Sequence, residues 1–265
     1  MQYGAMNFPV RPILEEIEII SRLGFDYLEL AMDPPMAHHS IVASNKAAIS
    51  RALKDSGLGL VCHLPTFVTT ADLTASLRQA SFTEMLRSLD VAAEMGVKKV
   101  VLHPSMVIGM GSFILETVKG HFFDFLSEMV TVSQHLKISI CLENMFSRNL
   151  LGVEPEDFEE IFRLFPSVKL TLDTGHANIH DHQKSRLQKF VQLHGARIGH
   201  LHFSDNHGRR DDHLAIGEGS VNFDELVRSL QGVGYDDTLT LEVFDANRNM
   251  LVDSREQIKA MLENR

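Results

Sequence analysis

The feature that most constrains this chain is an alternation. Eight short runs rich in β-branched and apolar residues recur along it, separated by longer amphipathic stretches. The runs are Gln2–Asn7, Tyr27–Ala31, Leu58–His63, Lys99–His103, Ser139–Glu143, Lys169–Asp173, Arg197–Phe203 and Thr238–Phe244. Between the first two, Ile13–Leu23 carries apolar residues at Leu14, Ile17, Ile20 and Leu23, a helical spacing; Thr83–Met95 and Phe122–Leu136 read the same way. Gly24, Gly57, Gly96 and Gly232 stand just ahead of the next run, where glycines end helices. Asp253 followed by Glu256 has the spacing of a capping box and predicts that the last helix opens there. Strand and helix repeated eight times imply a parallel sheet closed into a (β/α)8 TIM barrel, of the α/β class. An open doubly wound sheet is the alternative, but no glycine-rich phosphate loop follows the first run.

The 265 residues fit such a barrel as a single domain over 1–265, and no low-complexity or Pro/Gly/Ser-rich linker divides them. Hydrophobic residues, at 44%, suffice for its core. No apolar run approaches the roughly 20 residues of a membrane span, and Met1–Pro12 lacks the features of a signal peptide. The expected location is the cytoplasm. Cys62 and Cys141 lie inside predicted strands and read as buried small hydrophobes in a reducing compartment. The oligomeric state stays open, a homo-oligomer among the options. A net charge of −10, no Trp and only three Tyr argue against a basic, stacking surface for nucleic acid. The unusual count is 14 histidines, the commonest metal ligand.

In barrels of this kind the chemistry sits where the strands end. Successive strand residues point to opposite sides, so His63, His103, Glu143, Asp173, His202 and Glu242 can all point inward in one register. A buried ring of imidazoles and carboxylates is costly unless its charges are paired or bound to metal. Its mix of nitrogen and oxygen ligands suits Zn2+, Mn2+ or Fe2+. His200 faces inward one layer deeper, as a supporting or core residue. His38, His39, His180, His182, His194 and His207 fall in loops or helices and read as solvated or structural.

These residues resemble the xylose isomerase-like TIM barrels, the superfamily of endonuclease IV and many sugar isomerases and epimerases. The motifs are His63-x-Pro65, His103-Pro104, Glu143-Asn144, Asp173-Thr-Gly-His176, His202-x-x-Asp205 and Asp211-x-His213-x-x-x-Gly217-x-Gly219. The resemblance implies two alternatives. In the sugar isomerases and epimerases, the matching ligands are Glu143, Asp173, His202 and Glu242, generally around one metal. Glu143 and Glu242 then move the proton as catalytic residues, and His176 and Arg209 match positions that bind substrate oxygens, with His63 and His103 also near the substrate. Asn149 stands about where some ketose epimerases carry a further acid. In endonuclease IV, a three-zinc phosphodiesterase acting on abasic DNA, the resemblance puts His63 and His103 on one metal with Glu143 bridging. Asp173, His202 and Glu242 complete the second, and His176, Asp211 and His213 the third.

The complete ligand set favours phosphodiester chemistry, and the loops favour a small molecule. Asp33–His39 and Thr66–Asp72 contain no Lys or Arg, whereas holding a kinked duplex calls for basic residues. Phe67 reads as closing a pocket, and the one basic pair near the mouth is Arg209-Arg210. The expectation is a divalent-metal-dependent isomerase or epimerase for a sugar or sugar phosphate, with one to three Zn2+ or Mn2+ ions per chain. An endonuclease IV-like activity is the alternative, and nucleic acid ranks below a small molecule as substrate.

Overall fold

The computed structural model describes residues 1–263. Its eight strands are β1 (Gln2–Met6), β2 (Tyr27–Ala31), β3 (Gly59–His63), β4 (Lys99–Leu102), β5 (Ser139–Glu143), β6 (Lys169–Asp173), β7 (Ile198–Phe203) and β8 (Thr238–Leu241). Each pairs in parallel with its neighbours in chain order, and β8 pairs with β1 to close the barrel. The helices are α1 (Ile13–Arg22), α2 (His39–Ser56), α3 (Ala75–Glu94), α4 (Leu115–Leu136), α5 (Asp157–Leu164), α6 (Thr174–Asn178), α7 (Arg186–His194), α8 (Phe223–Gly232) and α9 (Asn249–Glu263).

Alternation along the strands divides the core in two. Leu28 and Leu30, Val100 and Leu102, Leu170 and Leu172, and Leu239 and Leu241 pack outward against the helices in one continuous apolar layer. The opposite faces fill the barrel interior, where Tyr27, Val61 and Val101 form a small apolar cluster. The Tyr27 ring occupies the space that a side chain at position 4 would need, so Gly4 is required by close approach. On β7 the register slips by one residue at Gly199: Leu170 pairs with Ile198, yet Thr171 pairs with His200. A side chain at Gly199 would press on Lys169 and Cys141. This bulge brings His200 and His202 beside Thr171 and Asp173 on the inner face.

Several element boundaries differ from the sequence expectation. His103 and Glu242 lie one residue beyond β4 and β8. The helices α3 and α4 begin at Ala75 and Leu115, well before Thr83 and Phe122, because their first turns are too polar or too exposed to show an apolar stripe. Asp253 and Glu256 lie inside α9, so they form no cap; the turn ahead of that helix is closed by Asp245 and Asn247, which accept the Asn247 and Asn249 amides. Gly232 is the last residue of α8, and the left-handed turn falls on Gly234 instead. Leu14 is exposed, while Glu16 is fully buried on the inner face of α1, paired with Arg248 at 2.9 Å. Both cysteines are buried and free, and burial pushes the Cys141 thiol up to about 12. No helix of the described residues is long and apolar enough to cross a membrane.

Candidate metal centre and cavity

The strand ends carry out the geometry that their register dictates. His63 closes β3, Glu143 closes β5 and Asp173 closes β6, while His202 is the fifth residue of β7. Together with His103 and Glu242 they converge at the C-terminal mouth. His63 Nε2 lies 3.2 Å from His103 Nε2, and Glu143 Oε2 stands 3.4 Å and 3.0 Å from the two. Glu143 Oε2 is also 3.3 Å from His202 Nδ1, and Glu242 Oε1 is 3.1 Å from that same nitrogen. His176, in α6, brings Nδ1 to 3.0 Å from Glu143 Oε1 and Nε2 to 3.3 Å from Asp211 Oδ2. His213 Nε2 meets the same Asp211 oxygen at 3.0 Å. All nine residues matched in the sequence to metal positions therefore come together.

The outer partners of these imidazoles fix their tautomers. His63 Nδ1 donates to the Leu64 carbonyl at 2.8 Å, His176 Nδ1 to the Asn144 carbonyl at 3.0 Å, and His213 Nδ1 to the Glu242 carbonyl at 3.1 Å. A carbonyl only accepts, so Nδ1 of each ring keeps its proton, and a cation that displaces the second proton would find the Nε2 lone pair turned to the mouth, as in metal-binding histidines. His202 is set from below: its Nε2 donates to Glu29 Oε1 at 2.9 Å, which leaves Nδ1 facing Glu143, Asp173 and Glu242. Asn144 locks the adjacent strand end, with its side chain accepting from the Asp173 amide at 2.7 Å and donating to the Asp173 carbonyl at 3.0 Å.

The donor set fits a divalent cation. Asp173 Oδ2, His202 Nδ1 and Asp211 Oδ1 are buried without a hydrogen-bond partner among the described residues. Such orphaned atoms are expensive unless something binds them. Three overlapping triads each present ligand atoms within 4.8 Å of one another: His63, Glu143 and His202; Glu143, Asp173 and His176; and Asp173, His202 and Glu242. The electrostatics agree. Burial, with the Glu143, Glu242 and Asp211 carboxylates nearby, raises Asp173 to about 7 despite the His176 imidazole. Burial disfavours a charge on His63, but Glu143 outweighs it and lifts the imidazole to about 9. Asp211 does the same for His213, also to about 9. Glu143 is held well below the usual carboxylate range: His103 and His202 outweigh the burial that would raise it. His103 goes the other way: burial outweighs the pull of Glu143 and holds it below its ordinary value.

Above this floor opens a cavity of about 360 Å3. Phe8, Phe67, Phe146, Phe244 and Met106 form its walls, while His63, His103, Glu143, His176, Asp211, His213 and Glu242 form its base. Neither Lys nor Arg lines it among the described residues. Arg209 is exposed and stands apart from these walls, so it does not reach the cavity as the resemblance implied. Its partner in sequence, Arg210, is tied to Asp212. Asn149 lines the cavity, but its amide is engaged by the Leu151 carbonyl at 3.0 Å.

Two residues with no role assigned from the sequence, Glu29 and Asp205, support the centre. Glu29 is fully buried on β2 and accepts from both His200 Nε2, at 2.8 Å, and His202 Nε2. Its signal was available, since the alternation that turns Tyr27 and Ala31 inward also turns Glu29 inward. Asp205 explains the glycine motif after β7: its carboxylate accepts from the amides of Gly217, Gly219 and Val221 at 2.9–3.1 Å. It also pairs backbone to backbone with Leu214, which holds the loop bearing Asp211 and His213 over the mouth.

A closed (β/α)8 barrel with carboxylates and imidazoles converging at its C-terminal mouth defines the class, a TIM barrel with a polar centre where this fold keeps its active sites. Within that class the chain belongs to the xylose isomerase-like TIM barrel family, whose pattern matches residues 17–264. An uncharacterized protein of Methanocaldococcus jannaschii is 29% identical over 99% of this chain and 90% of its own length. A probable endonuclease 4 of Bacillus subtilis is 27% identical, over 66% of this chain and 62% of its own. Among solved structures, a D-tagatose 3-epimerase-like protein superposes with a TM-score of 0.86 at 27% identity, over 99% of this chain and 97% of the other.

Proposed function

We propose that this protein is a divalent-metal-dependent isomerase or epimerase acting on a sugar, by proton transfer between carboxylates at the barrel mouth. The observation that carries the reading is the His202 imidazole, whose Nδ1 faces Glu143, Asp173 and Glu242 while its Nε2 is committed to Glu29. These four residues, Glu143, Asp173, His202 and Glu242, would hold the ion. When bound, a divalent cation supplies positive charge that polarises a carbonyl and steadies the oxygen beside it.

The protein's own groups do the rest. One of Glu143 and Glu242 removes the proton from the carbon next to the carbonyl, and the other returns a proton from the opposite side. His176 and Asp211 lie where they can hold sugar hydroxyls, and His63 and His103 close the same floor. The phenylalanine walls suit the C–H faces of a sugar and keep water from the transferring proton. The lack of a cationic side chain in the lining favours an unphosphorylated sugar over a sugar phosphate. The near end-to-end superposition on a D-tagatose 3-epimerase-like structure supports an epimerase, whereas the endonuclease relative matches only two thirds of the chain.

The test is to incubate metal-loaded protein with a panel of free ketoses in D2O and follow solvent exchange at the carbon-bound proton by NMR. Exchange and interconversion of epimers, abolished by a chelator, are expected; their absence across the panel overturns the reading. One observation favours a second reading, a trinuclear phosphodiesterase of the endonuclease IV kind: His63, His103, His176, Asp211 and His213 complete a nine-residue set in one place. Chelator-sensitive cleavage of a duplex carrying one abasic site would establish that activity.

A further inference from the structure

Among the described residues, a cluster of potential ligands outside the barrel interior is built from two helices. His38 caps the N-terminus of α2 and His39 is its first residue, while Glu84 lies midway along α3. Both imidazoles turn to the same carboxylate oxygen: His38 Nε2 stands 3.0 Å and His39 Nε2 2.8 Å from Glu84 Oε2. The two ring centroids are 4.0 Å apart, and the three ligand atoms lie within 4.8 Å of one another. His39 is buried, and His38 and Glu84 are about one third exposed, so the cluster is open to solvent on one side. None of the three lines the cavity at the mouth.

We propose that His38, His39 and Glu84 form a second, peripheral site for a zinc-class divalent cation (Zn2+, Co2+ or Ni2+), separate from the barrel centre. Two imidazoles and a carboxylate are a complete set of protein ligands for such an ion, with the fourth position left to water. Ligation through Nε2 requires the proton on Nδ1, so ion binding moves it there: His38 Nδ1, which in the helix cap accepts from the Ser40 amide at 3.4 Å, gives up that bond and donates to Ser40 Oγ at 2.8 Å instead. The bound ion replaces two hydrogen bonds to a single oxygen by three coordinate bonds and clips the start of α2 to α3. The clip sits beside the loops after β2 and β3, which are already joined where Asp33 accepts from the Thr66 amide at 3.0 Å and from its hydroxyl at 2.9 Å. Occupancy would therefore stiffen the side of the cavity that carries Phe67. This inference does not rest on the proposed sugar chemistry.

The experiment counts ions. Wild type, His39→Asn and Glu84→Gln are stripped with a chelator, equilibrated with Zn2+ alone, and analysed for zinc per chain. Each variant should hold one ion fewer than wild type, with an unchanged far-ultraviolet circular dichroism spectrum. Equal zinc in wild type and variants overturns the site. So does loss of every ion in a folded variant, which would mean that no separate site exists. A measurement on wild type alone guards against a variant that fails to fold: Zn2+ should protect His38 from acylation by diethylpyrocarbonate, read by peptide mass spectrometry. Equal labelling with and without Zn2+ overturns the proposal by itself.

Discussion

Glu29 Oε1 and His202 Nε2 lie 2.9 Å apart beneath the barrel mouth, both side chains wholly buried. The other Glu29 oxygen accepts from His200 Nε2 at 2.8 Å and from the Thr240 hydroxyl. His200 in turn is held by Thr238 through Nδ1 at 2.7 Å. This buried chain settles which His202 nitrogen carries the proton and presents the other to three carboxylates. Glu29→Gln leaves one accepting oxygen, and an NH2 that only donates, where two imidazoles and a hydroxyl now donate, and so weakens that constraint. Losing such an outer partner typically costs about 10–100-fold in metal affinity. Competition with a fluorescent chelator should show a fall of that order in a protein that still folds. Unchanged affinity would remove Glu29 from the design of the centre.

Metal removal should be visible as lost stability. An ion that binds only the folded protein adds about 2.7 kcal/mol at a hundred times its Kd, which for a chain of this size is on the order of 5–10 °C in Tm. Scanning calorimetry of chelated and Zn2+- or Mn2+-loaded protein reads this directly. Asp173→Asn keeps the cap on α6 but removes a charged ligand, and should abolish most of the increment. A Tm indifferent to metal in wild type would mean that the cluster is neutralised by protons alone.

Much of this was legible because strand alternation is a simple rule. Once the eight runs were placed, the inward register of His63, Glu143, Asp173 and His202 followed, and the structure repeats it. His103 and Glu242 keep the same direction although they lie just past their strands. Glu29 obeys the same rule but was hidden because a lone carboxylate in the middle of a strand, away from its end, gives no motif. Arg209 matches a motif position, but a loop side chain's direction depends on packing that spacing does not encode, and here it lies outside the cavity lining. Helix starts are less legible for a related reason: Asp253 and Glu256 have the spacing of a cap in the middle of a helix, and only the preceding turn at Asp245 and Asn247 identifies the true start.

The division of labour between cavity and rim gives a paired prediction. Glu242→Gln removes a candidate acid–base group and should lower kcat by about 10²–10⁴-fold, with a smaller change in KM. Arg209→Ala alters an exposed side chain outside the cavity and should leave both constants near wild type. Steady-state kinetics on the best ketose found in the panel tests both. Full activity in Glu242→Gln removes its assigned role, and a large KM increase in Arg209→Ala would mean that the loop folds over bound substrate.

Gly4 and Tyr27 should behave as a coupled pair. A methyl at position 4 would overlap the Tyr27 ring, whose hydroxyl is fixed to Thr240 Oγ1 at 2.8 Å and has no room to retreat. Gly4→Ala alone should destabilise by about 1–3 kcal/mol through overpacking. In a Tyr27→Val background, where the ring is gone, the same change should cost far less. Denaturant unfolding of the four proteins gives the coupling energy, and strictly additive effects would contradict the close approach.

The tyrosines supply a pH prediction whose sign can be worked through. Burial is the main cause that raises all three, helped by Asp26 beside Tyr3, Glu29 beside Tyr27 and Asp237 beside Tyr235. In the unfolded chain a tyrosine ionises near 10. Below that pH the phenols are neutral in both states, and the stability linked to them is fully present. Above it the unfolded chain gives up protons that the folded one retains, so stability falls progressively as pH climbs from about 10 toward the raised folded values. With no Trp in the sequence, absorbance at 295 nm reports tyrosinate from these three residues cleanly. Native protein should show little tyrosinate at pH 10, then a steep rise that coincides with loss of the circular dichroism signal. A gradual titration centred near 10 with the fold intact would mean that Tyr27 is not sealed in the barrel as described.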